Sequence, residues 1–465
     1  MEPKVIKPFH LFHYQGSWYV INIEEMSSIA IDKTTAIAMG KVIAEPTAPL
    51  ESHSEEQLKT MGLLAKGQGQ TPKTKKSKNE EIFPVVNLNL FLTQSCNLKC
   101  VYCYGDGGGY GTGGNMEEKT AFQAVDWLLE QSGKIKKLHI GFFGGEPFLN
   151  FTLMKAVVAY AETRVQEMGK QAEFHTTTNA TMLDDEQIAF IKEHRLQVLV
   201  SLDGPKEVHD AQRPYANGQG SYDSIVPKIK KLLTAAPQTA GHAVLVSNTD
   251  SELVKNALIE IGFAEVSIKP AAKSLFAESD PDKAVRENEC LIQALQQEAE
   301  TWIRLVKSRD SVALKRLKGK SGLYHGMMVL LHNSKQRYAC GAGLGLSAVS
   351  AVGDIYLCHR FVGMDEYKLG NVFEKDLQRE KYQKSPIMGD GKCTVCFAKY
   401  YCAGGCKHEN VGSGGGVATP SEKMCRLRCR ELELAAVITG QLDPADKAFL
   451  IEQEIFSPKP CPFDF

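Results

Sequence analysis

From residue 84 to about residue 270, short runs that are apolar, or apolar at alternate positions, take turns with longer stretches whose apolar residues recur every three or four positions. The short runs are VVNLNLFL (Val85 to Leu92), LHIGFF (Leu138 to Phe143), EFHTTT (Glu173 to Thr178), LQVLVSL (Leu196 to Leu202), HAVLVS (His242 to Ser247) and EVSIKP (Glu265 to Pro270). Their length and alternation predict strands. MEEKTAFQAVDWLLEQ, FTLMKAVVAYAETRVQEM and DDEQIAFIKEH lie between them and read as amphipathic helices. Six β–α units predict an α/β fold built on a parallel barrel or doubly wound sheet, with functional loops at the carboxyl ends of the strands.

The flanks have a different pattern. HLFHYQGSWYVINI alternates until Gln15-Gly16, a hairpin signal, and SSIAID supplies a third short strand. Helical patterns follow Asp32 and open at Ser54, where Glu55, Glu56 and Gln57 occupy the first turn. Residues 1–62 therefore read as a small α/β, winged-helix-like unit, either a peptide-recognition module or a packing subdomain. GQGQTPKTKKSKNEE (Gly67 to Glu81) has no apolar residue, so residues 63–83 are expected to form a flexible basic linker. A long helix from about Lys283 to Arg309 closes the segment 84–310. Residues 311–430 are cysteine-rich, and residues 431–465 form a C-terminal segment.

Composition narrows the class. A chain of 465 residues exceeds one ordinary core, and 43% hydrophobic residues with a net charge of −1 suit a globular protein with no nucleic-acid-binding face. No run spans a bilayer, and MEPKVIKPFHLFHYQG lacks the features of a secretory signal, so the expected location is the cytoplasm. In that reducing compartment, 13 cysteines, three of them near position 100 and most of the rest between 340 and 429, point to metal rather than to disulfides.

The first cluster is QSCNLKCVYCYG, a CxxxCxxC carrying Cys96, Cys100 and Cys103 directly after the first barrel strand. Three thiolates on one loop can hold three irons of a [4Fe–4S] cube and leave the fourth iron open. Zinc and disulfide sites also use close cysteine pairs, but zinc takes four protein ligands, and no His or fourth Cys lies near this loop.

With Tyr102 before the last cysteine and FFGGEP some forty residues on, the chain resembles the radical S-adenosylmethionine (SAM) superfamily. The resemblance implies a partial (β/α)6 barrel and a cluster whose unique iron is chelated by SAM. It further implies that Gly144, Gly145 and Glu146 meet the SAM ammonium group, that Asn179 and Ser201 meet its ribose or carboxylate, and that Arg213 pairs with the carboxylate. Tyr102 joins this cofactor-binding set. Asp203 is also read as a simple Asp-Gly turn residue.

The second field runs Cys340, Gly353 and Cys358, then CTVCFAKYYCAGGC with Cys393, Cys396, Cys402 and Cys406, then Cys425. It resembles the SPASM extension of peptide-modifying radical SAM enzymes. On that resemblance Cys393, Cys396, Cys402 and Cys425 hold one auxiliary [4Fe–4S] cluster, and Cys340, Cys358 and Cys406 hold another, giving three clusters in all. A zinc ribbon is the competing reading of Cys393 to Cys406. The fourth ligand of the Cys340 cluster is open among Cys429, Cys461 and Cys290, or a substrate thiolate.

FGGEPFLNF, SLDGPKEVHDAQRP and CAGGCKHEN resemble thioether-forming peptide maturases, above all the family that matures quinohemoprotein amine dehydrogenase, and also the six-cysteine peptide maturases. The implied reaction uses a 5′-deoxyadenosyl radical to abstract hydrogen from a peptide carbon, to which a cysteine of the same peptide then bonds. Its partners would be a ribosomally made peptide or small protein and a flavodoxin- or ferredoxin-type reductant. Anaerobic sulfatase maturases have an Asp base after the second SPASM cysteine; here His359 occupies that position and is the candidate base. A carbon–carbon crosslink, formylglycine formation or a zinc-stabilised peptide-binding protein are the alternatives.

Overall fold

The computed structural model describes residues 5–44, 52–60, 62–65, 83–111, 113–246, 249–271, 281–318, 322–374, 377–388 and 391–456. The basic tract Gly67 to Glu81, Cys461 and the side chain of Cys290 lie outside the described residues. The chain divides into two compact units, one of Glu80–Ala277 with Gly341–Lys384, the other of Met1–Asn79, Glu278–Cys340 and Ser385–Phe465.

Within the second of these units, strands β1 (Val5–Ile6) and β5 (Leu64–Ala65) pair, and β2 (Phe9–Tyr14), β3 (Ser17–Asn22) and β4 (Ser27–Ile31) form an antiparallel ribbon. Gln15 and Gly16 turn its first hairpin with φ of 45° and 82°, the left-handed pair that a two-residue turn between twisted strands requires. The middle strand β3 is buried on both faces. Tyr19, Ile21 and Met26 join a core with Trp302 of the helix Pro281–Lys307, Met327 of the helix Gly322–Leu331, and Leu432 and Val437 of the helix Glu422–Gly440. Val20, on the opposite face, packs with Met39, Leu58 and Leu63. The N-terminal ribbon therefore shares one core with the segment that carries most of the second cysteine field.

In the barrel unit, β6 (Asn87–Thr93), β7 (Lys137–Gly144), β8 (Gln171–Thr178), β9 (Gln197–Ser201), β10 (Ala240–Leu245) and β11 (Val266–Pro270) are parallel neighbours in chain order. Helices Glu118–Gln131 and Phe151–Glu167 cover the sheet with Ala121, Val125, Leu128, Met154 and Val158 turned inward. The helix Asp185–Glu193 starts on a capping box between Asp184 and Gln187, which satisfies backbone donors that its first turn leaves open. The sheet continues past β6 with β12 (Leu346–Val349), parallel to it, and then antiparallel β13 (Asp354–Tyr356) and β14 (Lys368–Asn371).

Alternation along β6 buries Leu88, Leu90 and Leu92 on one face and turns Asn87 and Asn89 to the other. Asn89 lies opposite Gly141, which lies opposite His175. A Cβ on Gly141 would stand 2.2 Å from Asn89 Oδ1 and 2.3 Å from His175 Nε2, so the glycine lets these side chains meet across β7 at 3.3 Å. Among the described residues, no helix is long and apolar enough to cross a membrane.

Candidate functional site

The loop after β6 brings Cys96, Cys100 and Cys103 together as free, partly buried thiols, each within electrostatic reach of the others. A second backbone segment fixes its course. Lys99 N–H donates to Pro214 O at 2.8 Å and Val101 N–H to Gln212 O at 3.0 Å, so the loop is laid along the residues that follow the helix Lys206–Gln212. Burial pushes the Cys96 thiol up to about 11, and the neighbouring Glu146, Cys100 and Cys103 add to that. The three thiols form a sulfur-only donor set, and the sulfurs already have hydrogen-bond donors. Leu98 N–H reaches Cys96, Asn179 Nδ2 lies 3.7 Å from Cys96 Sγ, and Arg213 Nη1 lies 3.9 Å from Cys100 Sγ. This donor set fits an iron–sulfur cluster, whose sulfurs are commonly hydrogen-bonded.

The glycines of FFGGEP have a packing role. On Gly144, at φ +127°, a Cβ would stand 2.0 Å from Thr93 O, and on Gly145 a Cβ would stand 2.0 Å from Ser95 O. Both clashes are with backbone, so the second strand can meet the cysteine loop only through glycine. Gly145 N–H then donates to Thr93 O and Glu146 N–H to Ser95 O, each at 3.0 Å.

Glu146 is buried with both carboxylate oxygens engaged. Oε1 accepts from Thr178 Oγ1 at 2.8 Å and from Phe148 N–H at 3.2 Å, and Oε2 accepts from Asn179 N–H at 2.7 Å. Burial nonetheless pushes its carboxyl up to about 7. It ties the end of β7 to the end of β8 and thereby aims Asn179. Asn97, which the sequence reading passed over, extends this tie: it accepts from Asn179 Nδ2 at 3.0 Å and donates to Thr181 Oγ1 at 2.7 Å.

Asp203 is a hub rather than a turn residue alone. It is fully buried, and its carboxylate accepts from Arg213 Nε at 2.9 Å, from Arg213 Nη2 at 3.1 Å, from Val244 N–H at 2.9 Å and from the Tyr102 hydroxyl. Arg213 also lies over the Tyr102 ring, 5.3 Å from its centroid. Burial alone would lower the Arg213 pKa, but Asp203, Tyr102 and Cys100 raise it. Ser201 sits beside His242 in register at the carboxyl end of β9, also buried.

Cys358 lies in the barrel unit, followed by His359, whose ring packs 4.7 Å from that of Phe143, the residue before Gly144. Two residues of this segment thus stand at the GGE end of β7. Cys340, exposed, and Cys406, partly buried, belong to the other unit.

That unit also gathers five free thiols. Cys393, Cys396 and Cys402 come from one stretch, and Cys425 and Cys429 from the helix Glu422–Gly440. Cys396 and Cys429 are electrostatic neighbours, Cys425 lies within electrostatic reach of Cys393, and Cys402 within reach of Cys393 and Cys396. Backbone N–H groups of Ala398 and Gly404 donate to Cys396 and Cys402. Sulfur-only donors with backbone N–H support suit an iron–sulfur cluster or zinc. Next to them the His10 ring of β2 stacks on Phe397 at 3.6 Å and its Nε2 meets Glu433 Oε1 at 2.9 Å.

Comparison with known proteins agrees with this geometry. The profile of the Radical SAM superfamily matches residues 90–257. An uncharacterized protein of Methanocaldococcus jannaschii is 30% identical over 299 residues, 62% of this chain and 90% of that protein. The cysteine-type anaerobic sulfatase-maturating enzyme of Clostridium novyi is 23% identical over 68% of this chain and 86% of its own length. The solved structure of native anSMEcpe with bound AdoMet and Cp18Cys peptide has the same fold, with a TM-score of 0.60, 19% identity and coverage of 80% of this chain and 100% of that one. Together with the three-cysteine loop laid against GGE, these matches show that the chain belongs to the radical SAM superfamily.

Proposed function

We propose that this protein is a radical SAM peptide maturase that joins a cysteine sulfur to a carbon of the same ribosomally made peptide or small protein subunit, with an Asp or Glu methylene as the target. The observation that carries this reading is the pair of separate free-thiol fields, one on the loop after β6 and one in the other unit. A cleavage reaction on SAM needs only the first. When bound, SAM and its [4Fe–4S] cluster supply the 5′-deoxyadenosyl radical that abstracts hydrogen, and auxiliary [4Fe–4S] clusters, two in the full proposal, supply an electron acceptor. A flavodoxin- or ferredoxin-type reductant completes the system.

The chain's own residues then have defined tasks. Tyr102, Asn179, Ser201 and Arg213 line the strand ends where SAM would bind, with Gly144 and Gly145 holding the cysteine loop close and Glu146 aiming Asn179. Forming the link removes a hydrogen atom from carbon, a proton from the substrate thiol and one electron. His359, whose ring packs on Phe143, is the residue we assign to take that proton on an imidazole nitrogen.

The test is tandem mass spectrometry of a small cysteine-containing protein encoded beside this one, co-expressed with it anaerobically. Loss of two hydrogen masses per link, with thiols blocked to alkylation and fragments joining Cys to an acidic residue, is the expected result. The similarity to a sulfatase-maturating enzyme supports a second reading, conversion of a cysteine to formylglycine, and the mass of the product separates the two.

A further inference from the structure

In the barrel unit, Cys358 is followed by a single 3-10 turn, His359–Phe361, in which Phe361 N–H donates to Cys358 O at 3.0 Å. With about three residues per turn, its side chains leave the axis roughly 120° apart. Phe361 is fully buried and packs on Tyr367, which anchors the turn and sends its other two side chains elsewhere. His359 goes to Phe143 of β7. The Arg360 guanidinium lies over the ring of Tyr104, 5.7 Å from its centroid.

Both ring partners stand at the carboxyl ends of the first two barrel strands. Tyr104 directly follows Cys103, is exposed, and meets Tyr110 edge-on at 5.8 Å, while the Tyr110 hydroxyl donates to Gly144 O at 3.3 Å. A close backbone approach fixes the turn there. At Gly363, with φ +87°, a Cβ would stand 2.2 Å from Tyr110 O. Arg360 is thereby held, half-buried, beside the loop that carries Cys96, Cys100 and Cys103.

The buried charges at this end of the barrel are committed to the protein itself. Arg213 is clamped by Asp203, and the Glu146 carboxylate is filled by Thr178, Phe148 and Asn179. Lys99 and Asp106 of the cysteine loop are exposed and of opposite sign, so together they add no net charge. Stacking on an aromatic ring uses the face of a guanidinium, whose N–H donors lie in its plane with the fork spacing that matches a carboxylate.

We propose that Arg360 is a specificity-determining residue that binds the carboxylate of the peptide side chain to be crosslinked, holding its methylene carbons at the carboxyl end of the barrel. The substrate class it selects is a peptide whose linked residue carries a carboxylate, in preference to the isosteric amide. The proposal rests on the reading above that an Asp or Glu methylene is the target.

The experiment uses the full, cluster-loaded chain and the cysteine-containing partner of the co-expression test, with its linked Asp or Glu either kept or changed to Asn or Gln. The two substrates compete in one sample, and mass spectrometry of the linked products gives the ratio of their kcat/KM values. The parent is expected to prefer the acid by about tenfold to a hundredfold, the worth of hydrogen bonds to a charged group. Arg360→Gln is expected to bring the ratio to about one, and Arg360→Lys to keep part of the preference. A role confined to holding the turn would slow both substrates alike, so an unchanged ratio in Arg360→Gln overturns the proposal, as does a parent without preference. Independently of any variant's folding, glutarate should inhibit linking by the parent in competition with the peptide, and glutaramide should not. Equal inhibition by the two also overturns it. A parent that forms no link to an acidic residue is the failure of the underlying reading.

Discussion

Arg213 Nη1 stands 3.9 Å from Cys100 Sγ while the same guanidinium is clamped by both oxygens of Asp203 at 2.9 and 3.1 Å. A cation is thus fixed beside the Cys100 sulfur and cannot swing away. Removing one partner of a buried ion pair strands the other, at a cost of about 3–5 kcal/mol. Asp203→Ala is expected to lower unfolding stability by that amount in urea titration. Arg213→Lys, which keeps the charge but loses the fork geometry, should leave stability nearer the parent and shift the reduction potential of the SAM-site cluster, read by spectroelectrochemical titration.

Gly145→Ala tests the contact between β7 and the cysteine loop. Its Cβ would meet Ser95 O at 2.0 Å, and neither backbone can retreat without breaking the Glu146 N–H to Ser95 O bond. The variant should retain far-UV circular dichroism yet lose the iron held by Cys96, Cys100 and Cys103. Iron analysis against the parent checks it.

Cys100→Ala leaves two thiols where an open-iron cluster needs three. SAM cleavage should disappear in that variant, measured as release of 5′-deoxyadenosine under strong reductant. Cleavage at the parent rate would remove this loop from the reaction.

His209 gives a pH prediction. It is fully buried, its Nδ1 accepts from Asp203 N–H at 3.2 Å, and its Nε2 meets Ser221 Oγ at 3.0 Å, so the neutral ring carries its proton on Nε2. Burial first, then Arg213, holds its pKa down to about 4. A folded-state pKa below the unfolded value contributes stability at pH above about 6.5 that is lost as pH falls toward 4. The full effect is about 3 kcal/mol. Urea unfolding of the metal-free protein from pH 7 to pH 4 should show this slope, and His209→Asn should reduce it.

The six barrel strands were legible because each alternates or runs apolar for five residues or more, long enough to stand out from the helices between them. Strands β12 to β14 were not, since LSAV, DIY and KLGN are three or four residues long and owe their conformation to pairing with β6 and with one another. Spacing singled out Cys96, Cys100 and Cys103, and the fold sets these free thiols on one loop. The role of Asp203 could not be read in this way, because its partners Tyr102, Arg213 and Val244 are brought to it by the barrel and not by sequence proximity. For the same reason Gly144 and Gly145 were recognised as a motif while their reason, a backbone collision with the loop after β6, came only from the fold. Cys429 illustrates the limit most clearly: the sequence left it among the candidates for a fourth ligand of the Cys340 cluster, and the helix Glu422–Gly440 brings it within electrostatic reach of Cys396, Cys402 and Cys425.

The ribbon β2–β4 shares its core with residues 432–456 at the other end of the chain. During synthesis the ribbon precedes the barrel, yet the core on one of its apolar faces is incomplete until the helix Glu422–Gly440 follows. The barrel's strands and the strands that extend its sheet are all made by residue 371. On a ribosome, the order of completion is therefore the reverse of the order of appearance for these two parts. Tyr19, Ile21 and Met26 lack part of their core throughout that interval, which marks the growing chain, rather than the finished one, as the form more in need of chaperone protection.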